Sequence, residues 1–323
     1  MRESNINKNL LILTGFSCNN NCIVCSVRTK KDNYPDRSFD EIAEDLKQGR
    51  KNGYKDVEFT GGETTIRPDI IRLIREAKRL GYNIIALSTN GRLFSYDKFC
   101  RKIIKAGLNK ITFSLLGYND MMHNAITRTP GSFKNIIQGI KNAQKFPRVH
   151  LNISSVISRL NVKELKKFGS FVLSCGIQNW YLLDLIPDGN AKRLYSALAV
   201  NPETLKVELN SLKKIAHKFN EIGFFDFPFC LFERRFFELP NAIFINAKQR
   251  LETSLQVGYN PSRTRLNSNG VYEDFYKKHV KICSRCRFYR ECGGIWKNYL
   301  TLFSVKEFKK MAKRNRCFTT EYD

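Results

Sequence analysis

No stretch of eighteen apolar residues occurs anywhere in the chain, which excludes a membrane-spanning helix. The opening residues, Met1-Arg-Glu-Ser-Asn-Ile-Asn, hold no hydrophobic signal region, and a cytoplasmic protein is expected. Internal repeats and low-complexity segments are absent too. Acidic residues are in short supply: 30 Asp and Glu stand against 55 Lys and Arg, a formal charge of +25. That balance favours polyanionic partners such as RNA or an acidic peptide. The cations are spread along the whole chain, however. Only Lys306 to Arg316 is a dense basic run, read first as a solvated helix face and second as a binding tail. An apolar fraction of 42% in 323 residues is enough for a real core, with room for one large domain and a smaller one.

Cysteine, by contrast, is abundant, with ten in the chain. Three of them fall within eight residues, Cys18-Asn-Asn-Asn-Cys22-Ile-Val-Cys25. In a cytosolic chain such spacing reads as metal chemistry rather than a disulfide framework. Structural zinc takes four closed ligands, and a cubane iron–sulfur cluster usually takes four cysteines. A local set of three therefore points to a cluster with one iron left open. The alternative is a zinc knuckle completed by a distant residue. Cys100 and Cys175 fall in helical patterns and read as ordinary buried thiols.

The surrounding pattern alternates. Asn9 to Thr14 is a short apolar run bounded by Gly15 and reads as a buried strand. Further strands are expected at 56–60, 83–88, 110–115, 150–156 and 180–185. Helices are expected between them, at about 39–52, 69–80, 96–106, from a Ser132 cap to 145, and 162–174. The first of these carries a capping box, Ser38 with Glu41, and a stop at Gly53. Single helices between strands imply right-handed crossovers and a parallel sheet. Pro202 opens a long helix expected to reach Ile222, followed by a seventh strand from Phe224 to Cys230. Residues 231–280 read as irregular, with a polar, turn-rich stretch at 260–270.

The cysteine spacing, at the C-terminal end of the first strand, resembles that of the radical SAM superfamily. The resemblance implies a partial (β/α)6 TIM-like barrel at residues 1–200. It also implies a [4Fe-4S] cluster on Cys18, Cys22 and Cys25, whose fourth iron chelates S-adenosylmethionine (SAM). Thr60-Gly61-Gly62-Glu63 matches the Gly-Gly-Glu motif of that family, which contacts the amine of the cofactor; two glycines allow close backbone approach, and Glu63 offers an acceptor to an ammonium group. Ser88 and Asn90, Ser114, and Asn152 with Ser154 lie at or near later strand ends, where small polar groups suit a ribose and a carboxylate. Each alternatively caps the next helix or turn. His123, Arg128 and Gly131-Ser132-Phe133 resemble a further family arrangement, in which Arg128 pairs with the cofactor carboxylate and His123 is structural. The turn around Ile186 resembles the one that passes over the adenine, through its backbone.

Near the C-terminus, Cys283-Ser-Arg-Cys286 and Cys292 are spaced by two and five residues, and clustered thiolates select zinc or iron–sulfur. The spacing resembles the auxiliary-cluster domains called SPASM and twitch, here expected in 201–323 with the Cys-rich part from about 224. Trp296 stands where a full SPASM pattern has a further cysteine, and no second upstream pair is present, so one auxiliary [4Fe-4S] cluster is implied. Its fourth ligand is Cys230, as the end of a rigid strand, or Cys317; a zinc ribbon is the alternative.

The resemblance implies reductive cleavage of SAM and hydrogen abstraction by a 5'-deoxyadenosyl radical. A flavodoxin- or ferredoxin-type donor would supply the electron, in an anaerobic or reducing setting. A peptide or protein substrate is the first expectation, as for a maturase of ribosomally made peptides. Strand one begins near residue 9, so a separate leader-peptide recognition protein or a direct groove is expected. RNA modification, small-molecule biosynthesis, and a non-enzymatic cluster module on nucleic acid are the alternatives.

Overall fold

The computed structural model describes residues 9–246, 254–257 and 277–314. Its frame is a parallel sheet. The strands are β1 (Asn9–Leu13), β2 (Asp56–Thr60), β3 (Ile84–Thr89), β4 (Lys110–Ser114), β5 (His150–Val156), β6 (Asn179–Leu183), β7 (Glu221–Phe225), β8 (Ala242–Ile245) and β9 (Ser254–Val257). Their order is β8-β7-β6-β5-β4-β3-β2-β1-β9, and every pairing in this sheet is parallel. β8 and β9 are its edges, so the barrel is partial, as expected.

Helices α1 (Phe39–Lys51), α2 (Ile70–Arg79), α3 (Asp97–Ala106), α4 (Asp120–Thr127), α5 (Ser132–Gln144) and α6 (Leu165–Ser174) make the crossovers. The capping box forms: Ser38 accepts from the Glu41 amide, and Glu41 returns to the Ser38 amide at 2.7 Å. Ser132 does not cap α5. Gly131, at φ 75°, takes that position. The Ser132 hydroxyl instead donates to Asn124 at 2.8 Å and lies 2.8 Å from the Thr127 hydroxyl, tying α5 to α4.

Strand parity builds the molecule. Leu10 and Ile12, Val57 and Phe59, Ile111 and Phe113, and Trp180 and Leu182 are fully buried and form the core between sheet and helices. The alternate residues face the barrel interior, and the last of each strand forms its mouth.

Beyond residue 185 the structure departs from expectation. Short helices α7 (Gly189–Arg193) and α8 (Tyr195–Leu198) precede α9 (Pro202–Ser211) and α10 (Lys213–Ala216). The expected helix to Ile222 is therefore shorter and broken, and β7 starts three residues before the expected strand. Phe229–Leu231 is a 3-10 turn, so Cys230 does not end a strand. The stretch 231–280 is not wholly irregular, since β8 and β9 lie in it, and the sheet runs past the expected division at residue 200. Residues 260–270 and Cys317 lie outside the described residues.

A hairpin of β10 (Lys277–Lys278) and β11 (Ile295–Trp296) carries the C-terminal cysteines between its strands, followed by α11 (Lys297–Leu302) and α12 (Val305–Arg314). Two contacts seat it on the barrel. Phe237 stacks on Phe288 at 4.5 Å and on Phe244 of β8 at 4.5 Å, within an aromatic cluster around Phe224 and Phe232. Below it lies a buried polar junction: the Trp296 indole donates to Asp184 at 2.9 Å, and the Lys277 ammonium donates to the Asp226 carbonyl at 2.6 Å. Burial pushes the Asp184 carboxyl up to about 7, although Lys277 opposes the shift. Among the described residues, no helix is long and apolar enough to cross a membrane.

Candidate active site

The interior-facing tips of six strands meet the cysteine loop around one cavity of about 350 Å³. Leu13, Thr60, Ser88, Ser114, Ser154 and Leu183 come from β1 to β6, one from each, and Cys18, Cys22 and Cys25 face them. Gly61, Gly62, Glu63 and Asn90 line the same space. Asn152 shares the parity of Ser154 but sits one layer deeper, accepting from Asn179 at 3.1 Å and donating to Thr112 at 3.5 Å. It is not on the cavity. Arg128 is not on it either: at a left-handed φ of 49° it ends α4 and lines a separate, outer depression. Ile186 packs against the core rather than lining the cavity.

The cysteine loop is held from all sides. Thr60 and the two glycines press on its root. A Cβ on Gly61, already at φ 131°, would stand 2.3 Å from the Gly15 carbonyl oxygen, and one on Gly62 would stand 2.1 Å from that of Ser17. The amides of Gly62 and Glu63 donate to those same two carbonyls at 2.8 Å each. The glycines thus admit the neighbouring loop, a closer demand than the ligand approach expected of them. Asp36 accepts from the Phe16 and Ser17 amides at 2.8 and 3.1 Å. Farther along, the amides of Asn21 and Ile23 donate to Thr127 and Ile126 at the end of α4. Asn190 donates to the Cys22 carbonyl at 3.0 Å, and Arg28 to the Cys18 carbonyl at 3.2 Å. Arg92 reaches the Asn19 carbonyl at 2.5 Å.

Glu63 is used differently from the sequence expectation. Its buried carboxylate accepts from the Thr65 amide and hydroxyl at 3.1 and 2.5 Å, from the Thr89 hydroxyl at 2.7 Å and from the Asn90 amide at 2.6 Å. Burial still raises its pKa, against these hydrogen bonds. The side chain braces the tips of β2 and β3, and it aims Asn90. The Asn90 amide group bonds Asn19 at 2.7 Å and points at the Cys18 sulfur at 3.9 Å. Thr65, Thr89 and Asp36 were not singled out from sequence; a hydroxyl beside each motif residue was the available signal for the first two.

The three thiols fit a cluster. Burial pushes the Cys18 thiol up to about 11 and raises Cys22 and Cys25 as well, and the thiols of Cys18 and Cys25 add to the shift at Cys22. Thiols so placed need a cationic centre to ionise them, which a metal cluster supplies. The Asn20 amide donates to the Cys18 sulfur at 3.4 Å. Nδ2 of Asn20 is buried with no partner among the described residues, while its side chain acts on the Cys22 thiol. Among the described residues no three His, Cys, Asp or Glu side chains converge as a single metal ion requires. A cubane presents its cysteines at separate iron corners and so does not require them to converge on one point.

A second cysteine set closes on an apolar cavity under α12. Cys230, Cys283, Cys286 and Cys292 all line it, with Phe229, Val280 and Phe308 around them. The Cys230 thiol is raised far, by burial first and then by Cys292, Cys283 and Cys286. Of the two fourth-ligand choices left by the sequence, Cys230 is thereby brought to the other three.

Comparison with known proteins agrees with this geometry. The family model described as the radical SAM superfamily matches residues 12–180. A Saccharolobus solfataricus protein named as a probable GTP 3',8-cyclase is 31% identical over 213 residues, covering 65% of this chain and 68% of that protein. A Sulfurisphaera tokodaii protein of the same name is 30% identical over 178 residues, and the match spans 56% of its length. In fold, the Streptococcus suis protein SuiB bound to precursor peptide SuiA superposes with a TM-score of 0.63 at 12% identity, over 91% of this chain and 73% of that one. The protein anSMEcpe with bound AdoMet and Cp18Cys peptide gives 0.64 at 16% identity, over 95% and 97%.

Proposed function

The chain belongs to the radical SAM superfamily, and on that premise we propose that its barrel mouth holds SAM on a [4Fe-4S] cluster and abstracts hydrogen from a peptide or protein side chain. One observation carries the reading: three thiols and six strand tips share a single cavity. When bound, cluster and cofactor together supply a strong hydrogen-abstracting agent; the protein supplies place and exclusion of water. Cys18, Cys22 and Cys25 would hold three irons and leave the fourth to the cofactor. The Ser114 and Ser154 hydroxyls would offer hydrogen bonds to ribose and carboxylate, and the backbone of residues 60–62 would take the amine. Ser88, which donates to Glu58 at 2.5 Å, could only accept one. Leu13, Phe16, Val156 and Leu183 keep that space apolar. The backbone around Ile186 stays the reading for the adenine, while Asn152 and Arg128 take no part from where they lie.

Cys230, Cys283, Cys286 and Cys292 would hold one auxiliary [4Fe-4S] cluster. Four protein ligands would leave no iron for substrate, so a cluster held there would supply electron transfer. Peptide as substrate is supported by SuiB and anSMEcpe, each bound to a peptide and each sharing this architecture over most of the chain. A second reading, a purine nucleotide, is supported by the name of the curated relatives.

Anaerobic reconstitution tests the proposal. About eight irons per chain and dithionite-dependent 5'-deoxyadenosine are expected. Stoichiometric zinc without cofactor turnover would overturn it. Deuterium transferred into 5'-deoxyadenosine from a labelled peptide, and not from labelled GTP, supports the first substrate; the reverse supports the second. Salt-sensitive RNA binding would bring back the partner suggested by the charge alone.

A further inference from the structure

The outer face of the cysteine loop carries a feature that the proposed chemistry does not use. Arg28, Lys31, Arg128 and Arg193 converge from the 3-10 turn at Arg28–Asp32, the end of α4 and the end of α7 around a depression of about 330 Å³. Asp32 is its one carboxylate, and Asn21 and Asn190 complete the wall. Three of the four cations, Lys31, Arg128 and Arg193, are exposed. Its floor is the cluster loop itself. Asn21 directly precedes Cys22, the Asn190 side chain bonds the Cys22 carbonyl at 3.0 Å, and the Arg28 guanidinium bonds the carbonyls of Cys18 and Asn20 at 3.2 and 3.1 Å. The cavity that holds the strand tips shares Arg28 with this depression, but none of the three exposed cations lines it.

We propose that this face is the docking site for a small acidic one-electron carrier protein that reduces the cluster on Cys18, Cys22 and Cys25. This deepens the functional reading above and rests on it. The carrier is oxidised by one electron and the cluster is reduced by one, with no atom transferred. Two features select a protein over a small anion. The cations are long, solvated side chains drawn from three elements, and none is buried to form a preorganised anion pocket. Such a rim adds little to a single phosphate in salt but complements an extended acidic surface, where it sets orientation and association rate. Placement selects a redox partner over other acidic proteins, because docking here brings the carrier against the backbone that holds the cluster.

The test uses the reconstituted holoenzyme and a flavodoxin. The double variant Lys31→Glu/Arg193→Glu reverses two exposed charges and leaves the cavity lining untouched. Lys98→Glu/Lys102→Glu makes the same charge change on α3. Binding of oxidised flavodoxin is followed by fluorescence titration across a salt series, and 5'-deoxyadenosine formation is followed with reduced flavodoxin and separately with dithionite. The first variant is expected to raise Kd about tenfold at low salt and to flatten the salt dependence, with a matching loss of flavodoxin-driven rate and an unchanged dithionite rate. The α3 variant should bind like wild type. Equal binding by wild type and Lys31→Glu/Arg193→Glu overturns the docking site, as does an equal loss in both double variants. No 5'-deoxyadenosine from wild type with dithionite would instead overturn the functional reading and leave the binding result standing by itself.

Discussion

Cys18, Cys22 and Cys25 come from one loop, pinned by strand tips, α4 and α7, and they face a cavity of about 350 Å³ in which serine tips stand among apolar side chains. Cys230 and the Cys283–Cys292 group come from segments more than fifty residues apart and face an apolar pocket closed by Phe229 and Phe308. The first set has three sulfurs and room beside them; the second has four and none to spare. On the proposed reading the same ligand chemistry would serve two purposes: three sulfurs beside a cavity would receive a molecule, and four in an apolar seat would hold a charge state. Each of the following outcomes would sharpen or break that contrast.

The largest effect is expected from Cys22→Ala, which should remove about half of the iron and abolish 5'-deoxyadenosine formation. Cys230→Ser should also remove about half of the iron, yet leave dithionite-driven cofactor cleavage in place and stop product formation. Iron analysis beside both assays separates the two; loss of cofactor cleavage in both variants would erase the contrast.

Gly62→Ala comes next. Its Cβ would meet the Ser17 carbonyl, so the loop root must move, at about 1–3 kcal/mol, and the first cluster should be incorporated poorly while the second is not. Glu63→Gln keeps the shape but loses acceptor capacity for four donors; thermal unfolding should show a loss of about 1–3 kcal/mol and cofactor affinity should fall with it.

The smallest effect belongs to the junction between the two regions. The Asp184 carboxyl has a folded pKa of about 7, raised by burial above its ordinary value. The folded state therefore binds a proton that the unfolded state has released, so stability is greatest below the ordinary carboxylate range and declines as pH rises through about 7. Asp184→Asn should flatten that decline, measured as Tm against pH, while still accepting from the Trp296 indole. A slope unchanged by the substitution would show that the junction carries no such proton.

Much of the barrel was legible because its signals are local. Alternating burial in β1, β2, β4 and β6 follows from residue order alone, and the Ser38–Glu41 box spans four residues. The loop cysteines and Gly61-Gly62 carried their meaning in spacing. What was missed depends on distant partners. β8 has four residues and β9 pairs with β1 from the far end of the chain, so neither shows a periodicity long enough to read. Ser132 looked like a cap because serine often is one, but Gly131 at φ 75° starts the helix. Glu63 was legible as a residue of the cavity, but nothing in its neighbours announces that Thr65, Thr89 and Asn90 will surround it.

The most direct test compares the electron paramagnetic resonance of the two reduced clusters, each isolated by removing the other with Cys-to-Ala substitutions. Adding SAM should change the spectrum of the cluster on Cys18, Cys22 and Cys25 and leave that of the cluster on Cys230, Cys283, Cys286 and Cys292 unchanged. A first cluster indifferent to SAM, or a second one that responds to it, would contradict the division of labour between the open and the closed set.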